Sequence, residues 1–293
     1  MVNLLNLCER LIQAWLPITE VENLISVEYL KSFLKRNHMA LIERIDNGKE
    51  NFYRVARKEI PVCFISDENS DFSFLDLSDI HFGHPDFKEE LLRAKLKEAL
   101  ERDVRYVFIA GDIFEGIRQN VTYEEALATE YKQLDMAYKV FLDYDLNYYA
   151  INGNHDYTFE FFGLHNPVDL LKNRLRRDGI NFNFFDCYIM DFIIAGVAKR
   201  VMHLEKYKKP QEGFCITERL NRFTDQELVV YYDDKCYPVR FFTCGHIHVN
   251  MSLYDEVRNI YISQPGSFVQ GDNNCVRGIF VAGEANDENV LVY

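Results

Sequence analysis

The chain has 293 residues, 48 % apolar and 27 % charged, with 33 Lys and Arg against 46 Asp and Glu and a net charge of −13. That size and balance fit a soluble globular protein with one large α/β domain and a small appendage, and the acidity disfavours a surface that coats nucleic acid. No run of about 18 apolar residues reads as a membrane span, and the first residues lack the basic-then-apolar pattern of a secretory signal. The seven cysteines are scattered and form no Cys-x-x-Cys pair, so reduced thiols in a cytoplasmic protein are expected rather than a disulfide frame.

Residues 1–58 read as a separate segment. Leu4, Leu5, Leu7, Leu11, Ile12 and Leu16 have helical spacing over residues 2–16, and Pro17 closes that stretch. Thr19 to Glu22 suits a short second helix, and Ser26, an N-cap residue, opens a third that extends to about Leu41. Ile42–Ile45 and Phe52–Ala56 flank Asp46-Asn47-Gly48-Lys49, a hairpin signal. Three helices and a hairpin resemble a winged helix. Residues 30–58 hold eight Lys and Arg against three Asp and Glu, which suits nucleic-acid contact; a helical cap with a solvated face is the favoured alternative.

From Glu59 to the end, 59–293, the pattern is that of one larger domain. Ile60–Ser66 and Phe72–Ser78 are strand candidates, the second a nearly continuous apolar run of the kind buried on both faces. It ends in Ser78-Asp79-Ile80-His81-Phe82-Gly83-His84. Asp79 and His81 stand two apart, so an extended chain aims both side chains one way, and a carboxylate with an imidazole can grip a divalent metal. Asp86 with Glu89 predicts a capped helix with Phe87, Leu91, Leu92, Leu96, Ala99 and Leu100 on its apolar side. Val104–Ala110 is the next strand and ends in Gly111-Asp112-Ile113-Phe114-Glu115. Thr122 with Glu125 repeats the capping signature for a helix to about Leu142. Leu146–Ile151 then ends in Asn152-Gly153-Asn154-His155-Asp156. This β-α-β-α-β rhythm predicts parallel strands with right-handed crossovers, whose ligands sit beyond the carboxyl ends. Tyr188–Val197, Phe214–Thr217, Leu228–Tyr232, Arg240–Thr243, Asn259–Ser263, Gly278–Ala282 and Val290–Val292 are further strand candidates, and Cys244-Gly245-His246-Ile247-His248 follows one of them.

Four polar clusters thus stand at strand ends: Asp79-x-His81, Gly111-Asp112, Gly153-Asn154-His155-Asp156 and Gly245-His246-x-His248. An exact Gly-Asn-His-Asp is expected in roughly one chain of this length in a thousand at average residue usage. Over about residues 72–270 the ordered set resembles the calcineurin-like metallophosphoesterases. Ser78-Asp79-Ile80-His81-Phe82-Gly83, Ala110-Gly111-Asp112-Ile113-Phe114 and Pro265-Gly266-Ser267 look most like the branch that contains the double-strand-break repair nucleases.

The resemblance implies an α/β sandwich of two mixed sheets flanked by helices. It implies Asp79, His81 and His248 on one divalent metal, Asp112 bridging to a second, and Asn154 and His246 on that second ion. Mixed nitrogen and oxygen donors favour manganese, with iron or zinc as alternatives. Two ions roughly 3.5–4 Å apart bind a phosphate and activate a hydroxide, and His155, steered by Asp156, is the implied proton donor to the leaving oxygen. One departure from the family pattern concerns a further histidine directly after a strand. Here Phe214–Thr217 runs into Glu218, the first candidate for that place; His203 and water are the others. Lys206, Lys208 and Lys209 read as a solvated loop before a phosphate site. The implied activity is hydrolysis of a phosphate ester, a phosphodiester such as a nucleotide or nucleic acid first, with a phosphomonoesterase or a binding subunit with a degraded site as alternatives.

Overall fold

The computed structural model describes residues 7, 16–24, 26–27, 30–31, 39–46, 50–57, 60–66, 72–117, 120–203, 225–269, 279–283 and 290–292, of which residues 39–46, 50–57, 279–283 and 290–292 are described by backbone alone. They fall into two compact units, Met1–Pro61 and Val62–Tyr293.

In the first unit β1 (Leu16–Pro17) is followed by α1 (Ile18–Glu22), β2 (Met39–Asp46) and β3 (Glu50–Arg57). β2 and β3 form the expected antiparallel hairpin, and β1 pairs with the other edge of β3. The third helix does not reach Leu41, because Met39 and Ala40 already pair with Arg57 and Ala56. Most of the helix expected at residues 2–16 lies outside the described residues.

The second unit carries β4 (Val62–Phe64), β5 (Phe72–Leu77), α2 (Glu89–Glu101), β6 (Tyr106–Ala110), α3 (Tyr123–Leu142), β7 (Asn147–Ile151), a 3-10 turn (Asp156–Phe162), α4 (Pro167–Arg177) and β8 (Phe182–Phe185). After these come β9 (Ile189–Ile194), β10 (Val197–Met202), β11 (Val229–Tyr232), β12 (Lys235–Cys244), β13 (Asn250–Asp255), β14 (Ile260–Pro265), β15 (Ile279–Gly283) and β16 (Val290–Val292). Two mixed sheets result. One runs β16-β15-β5-β6-β7-β8, with β5 to β8 mutually parallel. The other runs β13-β14-β12-β10-β9-β4, with β11 paired to β12.

Strand periodicity of two explains the layers. Leu75, Leu77, Val107, Ile109, Tyr148 and Ala150 face α2, α3 and α4, whose Leu92, Leu96, Ala126, Ala137, Phe141, Val168 and Leu171 complete that core. Their neighbours Phe74, Phe108, Ala110 and Ile151 face the other sheet and pack on Met190, Phe192, Ile194, Val201 and Phe241. Both faces of β5 to β7 are therefore covered, which is why those strands read as apolar runs. α3 begins with the capping box read from the sequence: Thr122 Oγ1 accepts from the Glu125 N–H, and the Glu125 carboxylate accepts from the Thr122 N–H. The box expected at Asp86 and Glu89 does not form. The Asp86 N–H donates to His84 Nδ1, and α2 starts only at Glu89, with no side-chain cap. The strand expected over Tyr188–Val197 is two strands. Ala195 (φ 50°) and Gly196 (φ 79°) turn the chain between β9 and β10, which pair antiparallel. Among the described residues no helix is long and apolar enough to cross a membrane, and the four described cysteines, Cys63, Cys187, Cys236 and Cys244, form no disulfide with one another.

Candidate metal centre

The polar residues at the carboxyl ends of β5, β6, β7, β10 and β12 meet. The chain past β5 lies alongside the chain past β6: Asp79 N–H donates to Gly111 O, His81 N–H to Asp112 O, and Phe82 N–H to Ile113 O. Asp79, His81, Asp112 and His246 all have positive φ, from 50° to 81°. They are not extended, as the Asp-x-His reading assumed. Aspartate and histidine tolerate this region better than most residues, yet strain of about 1–3 kcal/mol each persists only where the surroundings over-determine it. Here they do. Asp79 O accepts from Ser267 Oγ (2.9 Å) and the Phe268 N–H (3.1 Å), so the Pro265-Gly266-Ser267 turn holds it in place. Two glycines are fixed by close approach. A Cβ on Gly153 would lie 2.1 Å from Asp112 N, and one on Gly245 would lie 2.1 Å from Ala110 O.

Three groups of ligand atoms lie within 4.8 Å of one another: Asp79, His81 and His248; His81, Asp112 and His155; and Asp112, His203 and His246. His81 Nε2 is 3.2 Å from His248 Nε2, which is 3.4 Å from Asp79 Oδ1. His203 Nε2 is 3.2 Å from Asp112 Oδ2 and 3.1 Å from Asn154 Oδ1, and His246 Nδ1 is 2.9 Å from the same Asn154 oxygen. These separations are those between ligands of one ion: at metal–donor lengths of about 2.0–2.2 Å, neighbouring corners of a tetrahedron or octahedron lie roughly 3.0–3.5 Å apart. Asp112 belongs to two of the three groups, one with His81 and one with His203 and His246. The donor set fits two divalent ions, one within Asp79, His81 and His248, and one within Asn154, His203 and His246, with Asp112 between them.

His203, another candidate for the further histidine, stands in the group with Asp112 and His246; Glu218, the first candidate, the strand expected at Phe214–Thr217 and Lys206, Lys208 and Lys209 lie outside the described residues. His203 is fully buried and does follow a strand, because β10 ends at Met202. Its Nδ1–H donates to Ala110 O at 2.7 Å, which leaves Nε2 as the inward atom. Burial alone would lower its pKa, but the Asp112 carboxylate, then the hydrogen bond to it and the charge of Asp79, raise it to about 9. Asp112 is correspondingly held well below the usual carboxylate range: burial opposes this, and His203 outweighs it.

His155 stands beside the group, its ring centroid 4.7 Å from that of His81. Its N–H donates to Asp112 Oδ1 at 2.8 Å. Its Nδ1 lies 2.7 Å from the main-chain carbonyl of Glu115, which can only accept, so Nδ1 carries a proton and Nε2 is the other working atom. Asp156 acts on this ring through its charge. It is fully buried and accepts from the N–H groups of Phe114 (2.8 Å) and Gly153 (2.9 Å), clamping the turn after β7 to the turn after β6. Burial, then the Asp112 charge, pushes Asp156 up to about 6. His155 is raised above its ordinary value: burial works against this, and Asp112 and Glu115 prevail. Glu115 went unnoticed in the sequence, although it sits three residues after Asp112. Its carboxylate is 3.1 Å from His81 Nδ1 and 4.0 Å from His155 Nδ1, a contact that orients His81 so that Nε2 faces inward.

The family model described as calcineurin-like phosphoesterase matches residues 72–250. No curated protein sequence matches the chain. Solved structures with similar backbones include an archaeal phosphodiesterase, at TM-score 0.46 and 13 % identity over 76 % of this chain and 100 % of that one. Another is Vps29 from Entamoeba histolytica complexed with zinc, at TM-score 0.40 and 14 % identity over 76 % of this chain and 91 % of that one.

Proposed function

The chain belongs to the calcineurin-like phosphoesterases, metal-dependent hydrolases of phosphate esters, and we propose that it cleaves a phosphodiester, with two manganese ions as resident metals and His155 as proton donor. The observation that carries the reading is the convergence of Asp79, His81, Asp112, Asn154, His203, His246 and His248 at ligand-to-ligand spacing, with His155 held at their edge. When bound, the metals would supply Lewis-acid binding of the phosphate and an activated nucleophile. The mixed imidazole and carboxylate donors favour manganese over magnesium or calcium, with iron or zinc next.

The chain's own residues do the rest. Asp112 and Asp79 set the charge of the pocket. Glu115 and Ala110 fix which nitrogen His81 and His203 present. His155 keeps Nδ1 on the Glu115 carbonyl and offers a proton from Nε2 to the departing oxygen, and its raised pKa favours the protonated donor near neutrality. The diester preference rests on the likeness of Ser78–Gly83 and Ala110–Phe114 to the nuclease motifs. With His203 in the histidine place, a degraded binding site loses its main support.

The test is metal analysis of the purified protein, followed by assay with manganese on bis-p-nitrophenyl phosphate, p-nitrophenyl phosphate, cyclic nucleotides and DNA. Two ions per chain and a higher kcat/KM for the diester are expected. A monoester preferred by more than about tenfold, or fewer than one ion per chain, would refute the reading.

A further inference from the structure

A second polar cluster lies inside the sandwich, below the metal centre. Lys199 of β10 is fully buried, and so, to within 1 %, is Asp76 of β5. Lys199 Nζ lies 2.8 Å from Asp76 Oδ1 and donates to Asp76 Oδ2 at 3.0 Å and to Thr243 Oγ1 at 2.7 Å. Thr243 of β12 and Ser263 of β14 donate to the same Asp76 oxygen, at 2.8 and 2.6 Å. Aromatic rings pack against them: the lysine nitrogen stands 3.9 Å from the centre of the Phe74 ring and 5.1 Å from that of Phe108. No step of the hydrolysis uses these four side chains.

Their places in the chain give them a role. Asp76 is three residues before Asp79. Lys199 is four before His203. Thr243 is three before His246. Ser263 is three before Gly266, whose carbonyl lies 2.9 Å from the Ser78 hydroxyl. Asp76 belongs to one sheet and the other three to the facing sheet. Each candidate ion also draws on both sheets: Asp79 and His81 with His248, and Asp112 and Asn154 with His203 and His246. The two half-sites close on a metal only if the sheets keep one register. The packing of Phe74, Phe108, Phe192 and Phe241 between them is non-directional and tolerates sliding. An ion pair joined by three short hydrogen bonds does not.

We propose that the Asp76–Lys199–Thr243–Ser263 cluster is a positioning device that locks the two sheets in the register at which their ligands share metal ions. This rests on the reading of the site as a two-metal centre. The Lys199 side chain touches no reacting atom; it acts through the strands that carry the ligands.

The test separates positioning from plain stabilisation. In the double variant Asp76→Val with Lys199→Met, apolar side chains replace both charges, a change that buried ion pairs often tolerate without loss of stability. Thr243 and Ser263 keep each other as partners, 3.1 Å apart. The metal-free double variant should therefore melt at or above the wild-type temperature. Its binding of manganese alone, measured by calorimetry, should be roughly 10- to 100-fold weaker at both sites, the loss typical when partners behind metal ligands are removed. Wild-type manganese affinity in a variant of wild-type stability would overturn the proposal and leave the site reading intact. Absence of manganese binding by the wild type would overturn both. Should the double variant fail to fold, Thr243→Val with Ser263→Ala removes the hydrogen bonds and keeps the ion pair. Weakened manganese binding at an unchanged melting temperature then supports the proposal, and unchanged binding overturns it.

Discussion

Lys199→Met alone is the sharper perturbation of the inter-sheet cluster, because it removes one charge and leaves the other. Methionine fills much of the lysine's volume, so cavity formation contributes little. What remains is the Asp76 carboxylate, 1 % exposed, with two hydroxyl donors and no counter-charge. Breaking a buried pair in this way costs about 3–5 kcal/mol. Against a total stability of about 5–15 kcal/mol for a domain of this kind, that is a large fraction. It corresponds to a fall in melting temperature of roughly 6–20 °C, at about 2–4 °C per kcal/mol for a unit of this size. Urea titration of chelator-treated protein measures the loss. Adding Asp76→Val to Lys199→Met should restore most of the loss, giving a coupling energy of at least about 2 kcal/mol in a double-mutant cycle. A single variant within about 1 kcal/mol of wild type would show that the pair is not electrostatically coupled.

His155→Asn should lower kcat roughly 10²- to 10⁴-fold with metal content unchanged, and the deficit should shrink for esters with acidic leaving groups, which need no proton; steady-state kinetics on a leaving-group series measures both. In the metal-free protein, folding raises the His203 pKa from 6.5 to about 9. That stabilisation is fully present below about pH 6.5 and is lost as pH rises through about 9, an effect on the order of 3 kcal/mol that His203→Asn should abolish; denaturant midpoints across that window with a chelator present measure it. Gly153→Ala places a methyl group 2.1 Å from Asp112 N and 2.2 Å from Asp112 Oδ1; it should cost about 1–3 kcal/mol and displace Asp112, read as lost bound metal by elemental analysis.

The parallel half of the fold was open to reading because its physics is local. β5, β6 and β7 are covered on both faces and so appear as apolar runs. α3 announces itself by Thr122 and Glu125. The polar residues after each strand could be placed at the carboxyl ends without knowing any contact. The antiparallel half hid more. Ile189 to Val201 is one apolar stretch broken only by charged residues, and its turn, Ala195-Gly196, has none of the Asn-Gly or Asp-Gly chemistry that marks a tight hairpin, since alanine rarely takes φ near 50°. Missing that turn moved the strand end away from Met202 and made His203 look like a loop residue. Gly196 was the available signal. Asp156 shows another limit: adjacency to His155 draws attention to its charge, but not to the two backbone N–H groups its carboxylate accepts from. The Asp76–Lys199 pair spans 123 positions, and no local pattern reports such a distance.

A metal centre shared between two sheets imposes a requirement that one built on a single sheet escapes. Residues on one sheet keep their spacing through backbone hydrogen bonds. Residues on facing sheets keep it through side chains and a few bonds between strand ends, such as the Phe268 N–H to Asp79 O, and here the facing layer is apolar, with Phe74, Phe108, Phe192 and Phe241 in it, whose burial rewards contact but not alignment. Metal binding therefore pays in part for alignment unless something else supplies it beforehand. At a metal concentration one hundred times Kd the bound state gains about 2.7 kcal/mol over the metal-free one. That is comparable to the strain of one or two residues held at positive φ, and this site holds four. A site so strained and so divided could not be organised by its metals alone at ordinary metal concentrations. The ordered turns of Asp156 and Ser267, with the charge cluster beneath them, are what make a preformed two-metal pocket physically consistent with this chain.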